Sequence, residues 1–213
     1  MMSEKFRNST NFQAIGISRL RMATDGRGLT TLIGGVGCPL DCRYCLNPSC
    51  HGSASNCYSV EELFEAVKVD SLYFEATGGG VTFGGGEPLL QAEFIREFAD
   101  FVRNNWKSWR FSIETSLAVE WTKVLLLVDL VDDWIVDLKD SNEEIYRAYT
   151  GVSGRFVREN LGRLAAICPD RVHVRLPLIP GFNDEESLEI SHDFVRKLGI
   201  TRIEKFKYIV KNQ

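Results

Sequence analysis

Apolar residues recur along this chain in two alternating rhythms. Short β-like runs lie at Gln13–Leu20, Gly28–Ile33, Gly80–Phe83, Arg110–Glu114, Trp134–Leu138, Val172–Leu176 and Arg202–Tyr208. Stretches with helical spacing separate most of them, at Val60–Val69, Gln91–Asn104, Val119–Val128, Glu143–Tyr149, Phe156–Ile167 and Glu185–Leu198. The clearest is Gln91–Asn104, which sets Phe94, Ile95, Phe98, Phe101 and Val102 on one side. Ser59 with Glu62 three residues on predicts a capping box at the start of the first helix. A Gly- and Cys-rich loop fills the interval from Gly34 to Asn56.

Strand–helix alternation predicts parallel βαβ units in an α/β fold. The pattern holds too few units for a closed eight-stranded barrel, which takes ~250 residues. An open partial barrel and a doubly wound sheet both satisfy it. In either, chemistry gathers at the C-terminal ends of the strands. The unusual residues fall there: the cysteine loop, Gly84–Glu87, Glu114-Thr115-Ser116, Asp137-Leu138-Lys139 and Arg175.

Composition narrows the class. The 213 residues suit one domain, with 44% hydrophobic and 25% charged residues, as in ordinary globular proteins. A net charge of −4 gives no support for binding nucleic acid or an anionic membrane surface. Apolar runs such as Val124–Val128 are too short to span a membrane, and polar Met1–Thr10 lacks the core of a secretory signal. A cytoplasmic location is the expectation.

The six cysteines change the picture most. Cys38, Cys42, Cys45, Cys50 and Cys57 crowd into one stretch, and Cys168 stands apart. In a cytoplasmic chain such crowding points to a metal or cluster rather than to disulfides. In Cys38-Pro-Leu-Asp-Cys42-Arg-Tyr-Cys45, three thiolates can converge on one soft centre. A structural zinc ion, with Cys50, His51 or Cys57 as fourth ligand, is one reading. A 4Fe–4S cluster with one open iron is the other.

Gly84-Gly85-Gly86-Glu87-Pro88 is either a plain strand-to-helix turn or a backbone cradle for a ligand. Glu114 and Asp137 can be helix caps, and Lys139 a solvated charge. As a set on consecutive strand ends they predict one polar pocket, in which Lys139 and Arg175 face carboxylate or ribose oxygens.

The spacing CxxxCxxC, with Tyr44 before the third cysteine, resembles the signature of the radical S-adenosylmethionine (radical SAM) superfamily. Within it, Gly80-Val-Thr-Phe-Gly-Gly-Gly-Glu-Pro-Leu-Leu-Gln91 is similar to the glycyl-radical-enzyme activating enzymes. So, in the same order, are Asp25-Gly26-Arg27-Gly28, Asp137-Leu138-Lys139, Tyr149-Thr150-Gly151 and Arg175 to Asp184. The resemblance runs from Gln13 to Leu188. It implies a partial (β/α)6 barrel that holds one 4Fe–4S cluster on Cys38, Cys42 and Cys45 and cleaves S-adenosylmethionine reductively. It implies that Gly84, Gly85, Gly86 and Glu87 line the methionine end and that Tyr44 lies near the adenine. Glu114, Asp137, Lys139 and Arg175 would complete the pocket, and Asp25 would help seat the glycine loop of a partner glycyl radical enzyme. It further implies a flavodoxin or ferredoxin as electron donor, a monomer, and room for a monovalent cation near Glu114, Thr115 and Asp137.

There are departures. Arg27 stands where the group has Pro, and Gly84 where the superfamily has Ser. Only Cys50 and Cys57 lie where some members carry a ferredoxin-like insert, so one domain over residues 1–213 without that insert is expected, with these two as loose loop cysteines. The last strand reads Ile203-Glu-Lys-Phe-Lys-Tyr208 rather than carrying the group's Pro-Tyr-His, which implies an altered or open substrate side. The sequence leaves three functions standing: activation of a glycyl radical enzyme, radical chemistry on another peptide or small molecule, and a non-catalytic zinc protein.

Overall fold

The computed structural model describes residues 11–22, 25–54, 56–105 and 108–209. The reading made on Met1–Thr10 lies outside them. The strands are β1 (Phe12–Met22), β2 (Leu29–Gly35), β3 (Asn56–Tyr58), β4 (Gly80–Gly85), β5 (Arg110–Thr115), β6 (Asp133–Asp137), β7 (Val172–Leu178) and β8 (Arg202–Lys207). The helices are α1 (Val60–Lys68), α2 (Ser71–Thr77), α3 (Ala92–Asn105), α4 (Trp121–Leu125), α5 (Glu143–Thr150), α6 (Arg155–Ile167) and α7 (Glu185–Lys197).

The strands form one sheet in the order β3-β1-β2-β4-β5-β6-β7-β8. From β2 to β8 every neighbouring pair is parallel. This is the expected six-stranded βα wall, left open at β8. β1 departs from the βαβ reading: it runs antiparallel to β2 and carries the small antiparallel β3 on its other edge. β1 and β2 are joined by a short link with no room for a crossover helix, so antiparallel pairing is the only neighbourly one.

The period of two along each parallel strand sorts its chemistry. Ile113, Val136 and Val174 are buried in the apolar core, while their neighbours Glu114, Asp137 and Arg175 line a cavity. The apolar face packs on the helices. Phe98 of α3, for example, meets Phe83 of β4 with ring centroids 5.7 Å apart. The opposite face is the polar inside of the half-barrel. The segment Asp25–Gly28 lies across it: Thr82 Oγ1 donates to the Asp25 carbonyl, and a Cβ on Gly26 would sit 2.7 Å from Ser112 Oγ.

The start of α1 follows its cap. Ser59 Oγ accepts from Glu62 N at 3.2 Å, while the Glu62 carboxylate accepts from Ser59 N at 2.8 Å, so the capping box is made. The expected Val119–Val128 helix shrinks to Trp121–Leu125. The buried Asn160 amide donates to the carbonyls of Leu117 and Val119, at 3.0 and 2.8 Å, and holds the chain in a non-helical turn up to that point. Two elements escaped the pattern, β3 and α2. Both are short and neither carries a full apolar period.

The foot of β6 carries a buried ion cluster. Asp133, fully buried, accepts from Arg202 Nη1 at 2.6 Å and Arg110 Nη2 at 3.1 Å, and Arg27 Nε lies 3.6 Å away. Removing that carboxylate leaves guanidinium groups facing one another. Asp133→Ala is expected to lower the unfolding free energy by about 3 kcal/mol or more. Urea denaturation checks this, and an unchanged midpoint would show the cluster to be dispensable.

Candidate functional site

The Cys38–Cys45 loop has no regular structure, so its backbone hydrogen bonds decide where its thiols go. Asp41 N donates to the Thr150 carbonyl at 2.8 Å, and Arg43 N to the Tyr149 carbonyl at 3.1 Å. These are orphan carbonyls at the C-terminus of α5. Gly151 ends that helix in the left-handed region, with φ 77°, and turns the chain away. Tyr149-Thr150-Gly151, a segment quoted above without a role, is therefore the loop's mooring.

A second mooring lies on β4. Gly86 N donates to Gly35 O at 3.1 Å and Glu87 N to Gly37 O at 2.8 Å. A Cβ on Gly86 would stand 2.1 Å from Gly37 O and 3.1 Å from the Cys50 Cβ. Glycine is thus required at Gly86 by the approach of the cysteine loop itself. Gly85 adopts φ 93°, which a side chain would resist.

Between the loop and the strand ends lies a cavity of about 460 Å³. Of the predicted residues, it is lined by Asp25, Cys38, Cys42, Cys45, Gly85, Gly86, Glu114, Asp137, Lys139 and Arg175. Three others stand behind the wall. Gly84 backs onto Glu114, whose Oε2 would lie 3.0 Å from a Cβ there. The Tyr44 ring packs against Phe182 and Tyr149, at centroid distances of 5.7 and 6.2 Å, and Tyr208 Oη donates to the Tyr44 carbonyl. Glu87 is buried, and its oxygens accept from Thr115 Oγ1 at 2.6 Å, Ser116 Oγ at 2.6 Å and Ser116 N at 2.9 Å. Its carboxylate is a latch between β4 and β5. Burial pushes the Glu87 carboxyl up from its ordinary value, and these donors oppose that shift.

Across the cavity floor runs a row of alternating charge. The Glu114 carboxylate pairs with Arg175 Nη2, Arg175 Nε donates to Asp137 Oδ1 at 2.6 Å, and Lys139 Nζ donates to Asp137 Oδ2 at 3.0 Å. The register that sets Asp137 beside Arg175 across β6 and β7 makes the pairing possible. Burial opposes ionisation of Asp137, but Lys139 and Arg175 outweigh it and hold the carboxyl down at about 2. Burial raises Glu114, with Arg175 opposing and Asp137 adding to the rise. Asp25 also faces a cation: Arg21 binds its carboxylate, with Nη2 to Oδ1 at 3.3 Å.

The thiols suit a soft centre. Burial pushes Cys38 up and Cys42 up to about 11, with Lys139 opposing at both. They are neutral thiols until a metal displaces their protons. Three sulfur donors around one cavity fit an iron–sulfur cluster by donor chemistry. Cys57 is exposed, but it lies in edge strand β3 rather than in a loop, and its Sγ donates to Gln13 Oε1 at 3.2 Å. Cys50 is buried and lies close to Cys45 and His51. Sequence reasoning also missed Arg21, Asn47, Tyr149, Phe206 and Tyr208, all of which line the cavity, as does Ser116 from the quoted strand-end segment. Tyr149 had a signal, the mooring segment; Arg21 in β1 and Tyr208 just past the end of β8 lie in segments of ordinary composition and had none.

Comparisons with known proteins agree with this geometry. The Radical SAM superfamily profile matches residues 32–194. The (2S)-3-sulfopropanediol dehydratase activating enzyme of Klebsiella oxytoca is 38% identical over 138 residues, covering 64% of this chain and 43% of that protein. The pyruvate formate-lyase 2-activating enzyme of Escherichia coli is 32% identical over 213 residues, covering 84% of this chain and 71% of that one. Among solved structures, SuiB of Streptococcus suis bound to its precursor peptide superposes with a TM-score of 0.65 at 14% identity, covering 84% of this chain and 38% of that one. That likeness is one of fold. The chain spans about half the length of the first two curated relatives it matches, at 43% and 54%.

The charged row has a pH signature in the cofactor-free chain. A carboxyl held near 2 stabilises the fold above its unfolded value near 4, and that contribution is lost as pH falls toward 2. Asp137→Asn is therefore expected to cost about 2 kcal/mol at pH 7, a difference that shrinks to nothing as pH falls through that window. Denaturation series on both proteins at matched pH values check it. A difference that does not change with pH would show that Asp137 is not held ionised.

Proposed function

The chain belongs to the radical SAM superfamily, and from that premise we propose that it activates a glycyl radical enzyme by taking a hydrogen atom from one of that partner's backbone glycines. The observation that carries the reading is the shared cavity: the three loop cysteines face the row Glu114, Arg175, Asp137 and Lys139 across the C-terminal ends of parallel strands. The sequence relatives support the choice of client, since they are activating enzymes by name.

In this reading Cys38, Cys42 and Cys45 hold one 4Fe–4S cluster. When bound, that cluster supplies the electron that splits S-adenosylmethionine into methionine and a 5′-deoxyadenosyl radical. The protein's own part is to bind and orient. Lys139 and Arg175 are the cations that meet carboxylate or ribose oxygens, and Glu114 and Asp137 are the acceptors for hydroxyl or ammonium groups. Gly84, Gly85 and Gly86 keep the β4 end bare of side chains, and Glu87 fixes that end to β5 rather than reaching into the cavity. Tyr44 backs the lining residues Tyr149 and Tyr208 on the side assigned to the adenine. Asp25, held by Arg21, stands on the side assigned to the partner's glycine loop. A monovalent cation beside Glu114, Thr115 and Asp137 belongs to the same reading. A flavodoxin or ferredoxin supplies the electron. We take the enzyme to be a cytoplasmic monomer of one domain, without a ferredoxin-like insert; no helix among the described residues is long and apolar enough to cross a membrane.

Anaerobic reconstitution with iron and sulfide tests this. A brown cluster absorbance is expected, then 5′-deoxyadenosine on adding dithionite and S-adenosylmethionine, and a glycyl-radical EPR doublet on the partner enzyme. Cys42→Ala removes a thiolate ligand and is expected to abolish all three. Product formation that survives Cys42→Ala would sink the cluster assignment. Formation of 5′-deoxyadenosine without any doublet on a glycyl radical enzyme would move the reading to another hydrogen donor.

A further inference from the structure

The three-thiol reading leaves Cys50 without a task, yet the fold holds that thiol with care. Pro48–His51 forms a single 3-10 turn in which Cys50 is 1% exposed. Cys50 N donates to Asn47 O at 2.9 Å, and Cys50 O accepts from Gly37 N at 2.8 Å. Asn47 Nδ2 donates in turn to Gly85 O at 3.0 Å, which ties the turn to the end of β4. The turn is therefore fastened at both ends. The Sγ atoms of Cys45 and Cys50 and a ring nitrogen of His51 all lie within 4.8 Å of one another.

We propose that Cys45, Cys50 and His51 form a second, mononuclear site for a soft divalent cation such as zinc, which excludes the cluster because both need Cys45. Two thiolates and one imidazole are a donor set that zinc prefers, with water in the fourth position. Tetrahedral bonds of ~2.1 to 2.3 Å set donors ~3.5 to 3.8 Å apart, so donors already within 4.8 Å of one another need a contraction of at most about 1 Å. The exposed His51 can supply that movement by rotating about its side chain. Binding releases the thiol protons to solvent and leaves a neutral site, two thiolates balancing the dication. Cys38 and Cys42 take no part. An ion placed here withdraws one of the three thiolates the cluster requires, so the cluster-free chain is open to zinc and zinc-loaded chain is closed to cluster assembly. The exclusion rests on the cluster reading above; the ion site itself does not.

Anaerobic titration of the full-length, cluster-free chain with zinc, against a chromophoric chelator, tests the site. One zinc per chain is expected. The affinity should fall at least tenfold in His51→Ala and in Cys50→Ser, and stay unchanged in Cys38→Ser. X-ray absorption on the zinc-loaded chain should show a mixed sulfur and nitrogen shell. Equal affinity in His51→Ala and wild type, or an equal loss in Cys38→Ser, would overturn the proposal by placing the ion on the cluster cysteines. Because His51 is exposed, His51→Ala keeps the test sharp should Cys50→Ser fold poorly. The exclusion is read from cluster absorbance: zinc-preloaded wild type should reconstitute slowly, and His51→Ala given the same zinc should reconstitute at the normal rate. Cluster assembly unaffected by preloaded zinc would overturn the exclusion, while failure of every chain to form a cluster would count against the cluster reading alone.

Discussion

Everything chemical in this protein depends on where a loop without secondary structure comes to rest. That place is set chiefly by unsatisfied carbonyls at the end of α5, which take the amides of Asp41 and Arg43. A helix terminus carries partial negative charge and acceptors with no partner within the helix. A loop that must sit in one place needs acceptors of that kind. Gly151 makes the arrangement available by turning the chain aside in the left-handed region, so that no further helical turn covers those carbonyls. The Gly37–Glu87 contact then fixes the other side of the loop, and glycine at Gly86 allows it to come that close.

The far wall of the cavity is held by a different device. Glu87 places a carboxylate out of contact with water, which is costly unless the charge is hydrogen-bonded. Thr115 and Ser116 provide the donors, and their strand-end backbone continues into Leu117 at φ 59°, an uncommon conformation for a non-glycine residue. Asn160 secures that turn from α6 by donating to the Leu117 carbonyl. The β5 end is thus braced from β4 and from α6. Glu114, one residue earlier and on the opposite face, is left to meet Arg175. Strand periodicity lets one short strand serve both the latch and the charged row.

The same periodicity explains what could be read in advance. The parallel wall, its open six-strand extent and the set of residues at its ends were legible because apolar–polar alternation and strand-end chemistry are local features. So was the capping box at Ser59. The direction of β1 was not, because pairing is decided by link length and neighbours rather than by composition. The late start of α4 was hidden because Asn160, distant in sequence, captures the Leu117 and Val119 carbonyls, and past Leu125 the chain closes in tight turns instead of helix. Within the site, a list of chemically apt residues could not tell a lining group from a supporting one. Glu87 and Asp137 are both strand-end carboxylates in the sequence. One turns inward to hydroxyl donors and becomes structural, and the other faces cations across the cavity. Likewise Cys50 and Cys57 look alike in the sequence, whereas the fold buries one beside Cys45 and leaves the other on an edge strand.

That last difference shows how the loop distributes its thiols. Packing Cys50 against Gly86 gains the burial a small apolar side chain provides, and cysteine is among the residues that fill such a place well. Serine there would bury a hydroxyl, and alanine would leave a gap between the loop and β4. Cysteine fills the space, but it brings a soft donor into reach of Cys45 and His51. The packing requirement and the metal chemistry are therefore bound together in one side chain. Cys45 stands between two donor sets, one with Cys38 and Cys42 on the cavity side and one with Cys50 and His51 behind it. A thiolate cannot serve both at once. On the two proposals above, the metal that reaches Cys45 first decides which of the two sets the loop completes, and the mooring of the loop on α5 and β4 keeps both within reach.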